Sequence, residues 1–170
     1  MDLREWIRDV PDYPKKGIIF KDITTLLKEK EPFRKSIDLM VDHYRGQKID
    51  QIVAIESRGF IFGSALAYKL ETGFVPIRKP KKLPAKTERM EYELEYGSDC
   101  VEIHADALQP GQKILVVDDL LATGGTASAA AKLVEKLNAE VIGLAFLIEL
   151  TFLKGREKLS GREIFSLIQY

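Results

Sequence analysis

The chain has little of several features that would narrow its function at once. It has a single cysteine, Cys100, so a disulfide within the chain is excluded. We expect Cys100 to fill space in a strand, in a protein of a reducing compartment. No apolar run approaches the ~18 residues needed to cross a bilayer, and the first residues carry charges where a signal peptide needs an apolar stretch. These absences predict a soluble cytoplasmic protein without membrane contact.

The chain also lacks an excess of charge of one sign, with 26 basic and 26 acidic residues. A dedicated nucleic-acid binder would carry a basic excess, so the balance argues against one. Two common phosphate-binding motifs are missing as well, Gly-x-x-x-x-Gly-Lys-Ser/Thr and Gly-x-Gly-x-x-Gly. The length of 170 residues suits a single domain over 1–170.

Short apolar runs alternate with amphipathic segments, which is typical of an α/β fold with a twisted parallel sheet flanked by helices. Strands are predicted at 49–55, 74–77, 113–117, 140–148 and 164–168. Helices are predicted at 3–10, 32–44, 59–70, 126–137 and 152–159. The connection at 78–97 is predicted to be a protruding loop.

The most informative segment is Val-Val-Asp-Asp-Leu-Leu-Ala-Thr-Gly-Gly-Thr at 116–126. A buried strand ends in two carboxylates, and a Thr-Gly-Gly-Thr turn then opens a helix rich in alanine. Such a turn directs free N–H groups, two hydroxyls and the positive end of a helix dipole at one point, which suits a phosphate. A plain helix start after a tight turn would show the same pattern, so that alternative stays open.

Asp118 and Asp119 would be repelled by a phosphate bound at the turn. They suit hydroxyl groups or a metal ion better, because carboxylate oxygens bind both. Ribose 5-phosphate attached to a group that carries magnesium satisfies both halves of the segment.

A second strand–loop–helix unit contains Glu56-Ser57-Arg58-Gly59. Arg58 stands at the start of a predicted helix, where a cation opposes the dipole and gains no stability. An arginine beside free N–H groups binds a diphosphate well, so its position indicates function. An exposed arginine with a surface salt bridge is the alternative.

The segment 78–97 begins with Arg-Lys-Pro-Lys-Lys-Leu-Pro and becomes acidic from residue 88 onward. A long charged connection in a compact domain is uncommon unless it is disordered or covers a site. A lid over a polyanion would combine cations for the anion with carboxylates for proton transfer. A solvated charged surface is the alternative.

With both loops in view, the chain resembles the type I phosphoribosyltransferase family, and its adenine-specific branch in particular. The segment at 116–126 is similar to the family's phosphoribosyl-diphosphate signature. Four further segments resemble the adenine branch: Pro-Lys-Lys-Gly-Ile-Ile-Phe-Lys-Asp-Ile at 14–23, Glu-Ser-Arg-Gly-Phe at 56–60, Arg-Lys-Pro-Lys-Lys-Leu-Pro at 78–84 and Leu-Glu-Tyr-Gly at 94–97. The segment 149–159 also fits, so the resemblance covers nearly the whole chain.

The resemblance implies a role for each of these segments. The 5-phosphate would be held by Ala122, Thr123, Gly124, Gly125 and Thr126. Asp118 and Asp119 would bind the ribose hydroxyls. The diphosphate would be held by Ser57, Arg58 and Gly59, across a cis peptide bond between Glu56 and Ser57, and by Arg78 and Lys82.

Residues 1–30 would contain a small hood over the base, in which Ile19 and Lys21 read adenine through backbone atoms and Ile19 and Phe20 pack on it. An apolar run that is simply core is the alternative for this segment. Residues 78–97 would be a flexible lid that carries Tyr96 and Glu95, the candidate for proton transfer on the purine.

The implied reaction joins adenine to 5-phosphoribosyl 1-diphosphate and gives AMP and diphosphate. Mg²⁺ would be the cofactor, held mainly by substrate and water with no direct protein ligand. A homodimer is implied, in which lid residues can serve the partner subunit.

One position departs from the family pattern, since Lys81 replaces the usual glycine. His43 and His104 match no motif and are expected at the surface. Two alternatives stay open: an enzyme for hypoxanthine or guanine, and a regulator that senses phosphoribosyl diphosphate without catalysis. The regulator would need a nucleic-acid-binding surface, for which the chain lacks both spare length and basic excess.

Overall fold

The computed structural model describes residues 1–94 and 97–170. Its centre is a parallel sheet of five strands, flanked by helices on both faces and by two antiparallel hairpins. The strands are β1 Arg8–Pro11, β2 Ile19–Asp22, β3 Gln51–Ile55, β4 Gly73–Ile77, β5 Thr87–Glu93, β6 Ser98–His104, β7 Lys113–Leu121, β8 Glu140–Glu149 and β9 Ile164–Gln169. The helices are α1 Thr24–Leu27, α2 Lys30–Tyr44, α3 Gly59–Lys69 and α4 Gly125–Lys136, with short 3-10 helices at Leu3–Trp6, Thr151–Leu153 and Gly155–Leu159.

The central sheet has the strand order β4-β3-β7-β8-β9. Its inner strands bury both faces, and their side chains alternate: Val53 and Ile55 point into one apolar cluster, Ile52 and Ala54 into the other. The helix α4 and the β5–β6 hairpin cover the first cluster, and α2 and α3 cover the second. Cys100 is buried in β6, as expected of a space-filling residue.

The two crossover helices lie on opposite faces of the sheet. The helix α3 joins β3 to β4 on one face, and α4 joins β7 to β8 on the other. Because β3 and β7 are neighbours, their chains part in opposite directions at their carboxyl ends and leave a crevice. Ligands of open parallel sheets bind at such a switch point.

The predicted parallel α/β architecture is confirmed. All five predicted strands of the sheet are present, and β7 continues past the predicted end at residue 117 to Leu121. The predicted helices at 32–44, 59–70 and 126–137 correspond to α2, α3 and α4. Within residues 1–94 and 97–170, no helix is long and apolar enough to cross a membrane.

The predicted helix at 3–10 is wrong beyond its first turn. A 3-10 helix covers Leu3–Trp6, and the chain then becomes strand β1, which pairs with β2 so that Val10 faces Phe20. Pairing with the second strand of the same hairpin outweighs the local helical spacing here. The predicted helix at 152–159 is likewise two 3-10 turns, separated by Lys154 in a left-handed conformation.

The predicted loop at 78–97 is wrong for Thr87–Glu93, which form strand β5. Met90 and Tyr92 pack on the apolar cluster beneath α4, whereas Arg89, Glu91 and Glu93 point to solvent. This alternation is the pattern of a half-buried strand, and the charged residues obscured it. The strands β5 and β6 form an antiparallel hairpin, called the arm below.

Candidate active site

A cavity of about 500 Å³ opens at the carboxyl ends of β3 and β7. It contains most of the candidate site residues of the two motifs at 56–59 and 116–126, although these motifs lie far apart along the chain. Its lining residues are Ile55, Glu56, Ser57, Arg58, Lys79, Val101, Asp118, Asp119, Leu120, Leu121, Ala122, Thr123, Gly124, Gly125, Thr126 and Ala127.

The turn from Ala122 to Gly125 forms one wall of the cavity. Gly124 is left-handed, with φ +85, and a Cβ there would lie 2.4 Å from the carbonyl oxygen of Gly155. Gly124 is also the N-cap of α4 and has no side chain to accept hydrogen bonds from the first helical turn. The free N–H groups of a twelve-residue helix therefore point at the cavity, as an anion requires.

Asp118 and Asp119 form a second wall at the end of β7. Asp119 is 5% exposed, and its backbone N–H donates to Oδ1 of Asp118 at 2.8 Å. Burial, followed by the charge of Asp119, raises the pKa of Asp118 well above its usual 3.8. Two adjacent carboxylates in this setting oppose each other's ionisation, which indicates a ligand site rather than a structural one.

Arg58 is the cation nearest to these carboxylates. Its Nε lies 2.7 Å from Oδ2 of Asp119, but the two atoms lack the alignment of a hydrogen bond. Its guanidinium also lies 5.2 Å from the ring centre of Phe20 in β2. Arg58 thus touches both the N-terminal hairpin and the carboxylate pair, while 39% of its side chain remains exposed.

The loop before α3 has the backbone that the resemblance implied, with a cis peptide bond between Glu56 and Ser57. Ser57 lines the cavity, but Gly59 does not. A Cβ at Gly59 would lie 2.8 Å from Oδ1 of Asp118 and 3.1 Å from the Val117 carbonyl oxygen. Glycine at this position therefore lets α3 begin directly against the end of β7.

Arg78 and Lys79 follow β4, and Glu56 binds both of them. Arg78 Nη2 donates to Glu56 Oε2 at 3.3 Å, and the Lys79 backbone N–H donates to the other oxygen. Arg78 lies outside the lining of the cavity, and its buried Nε has no hydrogen-bond partner among residues 1–94 and 97–170. Its position indicates that it stabilises the Glu56 loop through the side chain of Glu56, without facing the cavity.

Lys79, in contrast, lines the cavity, although the sequence motifs predict no separate role for it. Its Nζ donates to the carboxylate of Asp99 and, at 3.0 Å, to the Tyr92 hydroxyl. Burial lowers the pKa of Lys79, but these two hydrogen bonds outweigh burial and raise it overall. Its place beside Arg78 in the cationic segment was the available signal.

Lys82 is exposed and lies outside the cavity lining, and its carbonyl oxygen accepts a bond from Arg78 Nη1 at 3.4 Å. Lys81, at the family's usual glycine position, has a left-handed backbone with φ +66. Its N–H donates to Glu102 Oε2 at 3.3 Å. The turn thus keeps the conformation that favours glycine, although a lysine occupies it.

The candidate base-reading residues lie on β2, outside the cavity lining, where Phe20 lies beside the lining residue Arg58. Ile19 is 55% exposed, so the alternative of a plain core residue does not hold for it. Phe20 packs edge-on against Tyr13 and faces Arg58. The side chain of Lys21 is engaged by Asp9, at 2.7 Å, and by the Tyr170 ring.

Two predicted site residues, Glu95 for proton transfer and Tyr96 in the lid, lie outside the described residues. His43 and His104 contribute nothing to the cavity lining. His43 is exposed and stacks on Phe165, and His104 is partly exposed.

The residues of this cavity fit Mg²⁺ that is held together with a phosphate ligand and water. Among residues 1–94 and 97–170, no group of three or more His, Cys, Asp or Glu side chains is placed to hold a metal. The two carboxylates present are already engaged, since Asp119 pairs with Arg58 and Asp118 accepts a backbone N–H. Mg²⁺ favours few protein carboxylates together with substrate phosphates and water, and this donor set matches that preference.

Comparison with known proteins agrees with this geometry. Residues 22–163 match the model of the phosphoribosyl transferase domain. The adenine phosphoribosyltransferase of Acidobacterium capsulatum is 60% identical, over 99% of this chain and 93% of its own. The structure of adenine phosphoribosyltransferase from Thermoanaerobacter pseudethanolicus superposes with a TM-score of 0.97 at 56% identity, over 99% of this chain and 98% of that one.

A more distant structure carries ligands. The adenine phosphoribosyltransferase of Trypanosoma brucei, in complex with AMP, pyrophosphate and ribose-5-phosphate, has a TM-score of 0.90 at 27% identity, over 98% of this chain and 78% of that one. The domain match spans most of the chain, and the similarity of sequence and structure extends over nearly all of it. This chain belongs to the phosphoribosyltransferase family and, within it, to the adenine phosphoribosyltransferases.

Proposed function

We propose that the protein transfers the 5-phosphoribosyl group of 5-phosphoribosyl 1-diphosphate to N9 of adenine, giving AMP and diphosphate in purine salvage. The observation that carries this proposal is the cavity that unites the glycine turn, the carboxylate pair and Arg58. The names of the relatives and the ligands of the Trypanosoma brucei complex support the choice of substrates.

In this proposal the ribose 5-phosphate lies between the turn and the carboxylate pair. The N–H groups at the start of α4 and the hydroxyls of Thr123 and Thr126 donate to the 5-phosphate. Asp118 and Asp119 accept from the ribose hydroxyls. Because the raised pKa of Asp118 keeps the pair below two full negative charges, it repels the incoming phosphates less.

The diphosphate lies against Ser57, Arg58 and Lys79, the three groups of the opposite wall that can donate to it. Arg58 then exchanges part of its contact with Asp119 for the diphosphate oxygens. Mg²⁺, when bound with the substrate, offsets charge on the departing diphosphate.

The reaction forms a bond between N9 and C1 of the ribose while the bond from C1 to the diphosphate oxygen breaks. Positive charge develops on the ribose ring, so the protein contributes mainly positioning and charge stabilisation. Asp118 and Asp119 lie on the ribose side, where this charge grows. Glu95 accepts the N9 proton, and the segment with Tyr96 excludes water that would hydrolyse the activated ribose.

The N-terminal hairpin holds the base. Ile19 and Lys21 offer backbone groups to adenine, and the engaged side chain of Lys21 is consistent with recognition through its backbone. Phe20 lies between the base site and Arg58. Apolar packing by Ile19 and Phe20 suits a flat purine.

The functional unit in this proposal is a homodimer. Lys82 is exposed and lies outside its own cavity, a position from which a lid cation can reach the site of a partner subunit. Size-exclusion chromatography with light scattering measures this directly, and a monomer at assay concentrations contradicts it.

The function is tested by incubating the protein with labelled phosphoribosyl diphosphate, Mg²⁺ and one purine base at a time. AMP should form from adenine, with little product from hypoxanthine or guanine. Turnover of the 6-oxopurines instead would reassign the substrate. Tight binding of phosphoribosyl diphosphate without turnover of any base would favour a regulator.

A further inference from the structure

A charged cluster lies behind the glycine turn, on the side away from the cavity. Glu149 ends β8, pairs in register with Leu121 of β7 and is 3% exposed. Arg156 donates to both of its carboxylate oxygens, from Nε and Nη2, each at 2.7 Å. The Ser166 hydroxyl adds a bond of 2.5 Å. Three hydrogen bonds thus converge on one carboxylate, and the pair has the two-pronged geometry that fixes an arginine most firmly.

The residue before Arg156 touches the glycine turn through backbone atoms alone. A Cβ at Gly155 would lie 2.4 Å from the carbonyl oxygen of Ala122, and a Cβ at Gly124 would lie 2.4 Å from the carbonyl oxygen of Gly155. The two glycines face each other without side chains between them. Any shift of Gly155 is therefore transmitted to the turn, because protein interiors are close-packed.

We propose that Glu149 and Arg156 are positioning residues for the 5-phosphate turn, which they hold in its binding shape through the contact of Gly155 with Ala122 and Gly124. Neither side chain touches substrate. Arg156 fixes Gly155, Gly155 limits the turn, and the turn presents its N–H groups to the phosphate. This inference rests on the proposed function only in assigning the 5-phosphate to the turn.

A purely structural ion pair would stabilise the fold and leave the binding constants alone. A positioning pair changes the affinity of one subsite more than that of another. Loss of Arg156 should weaken binding at the phosphate turn and leave the base site at β2 unaffected. Because small misplacements of binding groups are costly, we expect about a tenfold effect or more.

The experiment compares Arg156→Gln, Arg156→Lys and Gly155→Ala with Arg162→Gln as a matched control. Arg162 also forms a two-pronged pair, with Glu135 on α4, but away from the turn. Calorimetry gives the Kd for ribose 5-phosphate, kinetics give KM for phosphoribosyl diphosphate and for adenine, and thermal melts verify folding at the assay temperature. Gly155→Ala keeps both side chains of the ion pair and adds a methyl group that meets the Ala122 carbonyl oxygen and the Leu121 side chain, so it remains informative if Arg156→Gln folds poorly.

Arg156→Gln and Gly155→Ala should raise the Kd for ribose 5-phosphate and KM for phosphoribosyl diphosphate about tenfold, with KM for adenine within twofold. Arg156→Lys should lie between them and the original protein, and Arg162→Gln should leave all three constants within twofold. A lower melting temperature with unchanged constants, or equal losses for both substrates, overturns the inference. Failure of the original protein to bind ribose 5-phosphate overturns it as well. Binding without turnover contradicts the proposed function alone, since calorimetry still judges the positioning role.

Discussion

At the ends of neighbouring strands β7 and β8 lie two acidic sites, Asp118–Asp119 and Glu149, whose surroundings differ in charge and hydrogen bonding. Hydrogen bonds from Arg156, and then from Ser166, outweigh burial and lower the pKa of Glu149. Burial and the charge of Asp119 raise the pKa of Asp118. The Glu149 carboxylate is fully paired within the protein. Asp118 and Asp119 instead place two groups of like charge side by side.

This difference distinguishes a carboxylate that supports the site, Glu149, from the carboxylates that are available to a ligand, Asp118 and Asp119, at the same edge of the sheet. Buried carboxylates of folded proteins are normally satisfied by partners, as Glu149 is. Oδ2 of Asp119 is paired in charge with Arg58 but accepts no hydrogen bond from the described residues, so the Asp118–Asp119 pair leaves accepting capacity to a ligand. Removing a charge from the binding pair should therefore mainly lower activity, whereas removing the charge of the supporting carboxylate should lower stability as well.

The largest expected effect is the loss of activity on replacing Asp119 by asparagine. The change removes the charge that faces the proposed ribose site, and we expect kcat/KM for phosphoribosyl diphosphate to fall by about 100-fold or more. The free energy of unfolding should change by less than about 1 kcal/mol. Steady-state kinetics and urea denaturation measure both quantities. Asp42→Asn, in an exposed pair with Arg45, is the control, and turnover of Asp119→Asn at the control's level would contradict the role of Asp119.

Glu149→Gln should lose about 2 kcal/mol of stability at pH 7, in addition to the roughly tenfold weaker binding at the phosphate turn that the positioning role implies. Because the pKa of Glu149 is lowered, its contribution is complete above the usual 4.5 and is lost as pH falls through the lowered value. The difference between the variant and the original protein should therefore shrink in acid. Urea denaturation across pH 3 to 8 tests this, and a difference that is independent of pH would refute it.

The exposed pair of Glu135 and Arg162 provides the matched control for Glu149→Gln. Glu135→Gln should cost less than about 1 kcal/mol, since surface pairs contribute little. An equal loss of stability at both positions would show that burial and the hydrogen bond from Ser166 add nothing to the stability provided by Glu149.

Asp118→Asn should have the opposite sign, with a gain of about 1 kcal/mol at pH 7. The raised pKa means that stability from Asp118 is complete below 3.8 and declines as pH rises towards the raised value. The advantage of the variant should thus grow with pH, while its affinity for phosphoribosyl diphosphate falls. Denaturation across pH 4 to 8 measures the trend, and a variant less stable than the original protein at pH 7 would contradict it.

The smallest expected effect concerns a third buried carboxylate, Glu102, which accepts the N–H of Lys81. Lys81→Gly keeps that N–H and removes the left-handed strain of a lysine at φ +66. We expect a gain of about 0.5 kcal/mol, since the greater freedom of glycine in the unfolded chain offsets part of the relief. Lys82→Gly, beside it, relieves no such strain and should instead lose stability. Thermal melts of the two variants should move in opposite directions.

The fold was predictable wherever a pattern is local. The runs that became β3, β7 and β8 are almost purely apolar, and the alanine-rich segment that became α4 follows a turn signal. The strand β5 was not predicted because its acidic residues obscure the alternation of Met90 and Tyr92. The strand β1 was not predicted because the local apolar spacing favours a helix and does not reveal the pairing with β2 across the hairpin turn.

The site was predictable to the same limit. The residue types around Arg58 and Asp118 indicated an anion site and a hydroxyl or metal site. The fold brings these two motifs into one cavity. The contacts of Gly155 with the turn and the hydrogen bonds of Lys79 with the arm could not be read, because both join segments far apart in sequence. The proposed parts of Glu95 and Tyr96 remain predictions from the resemblance.

The pairing of β3 with β7 has a consequence for how the protein folds. It brings Val53 against Val116, so no short stretch of chain contains both walls of the cavity. Long-range parallel pairing of this kind is slow to form, because the intervening loop must close before any contact rewards it. Recovery of AMP binding during refolding should therefore trail the recovery of helical signal and report the arrival of the complete native state.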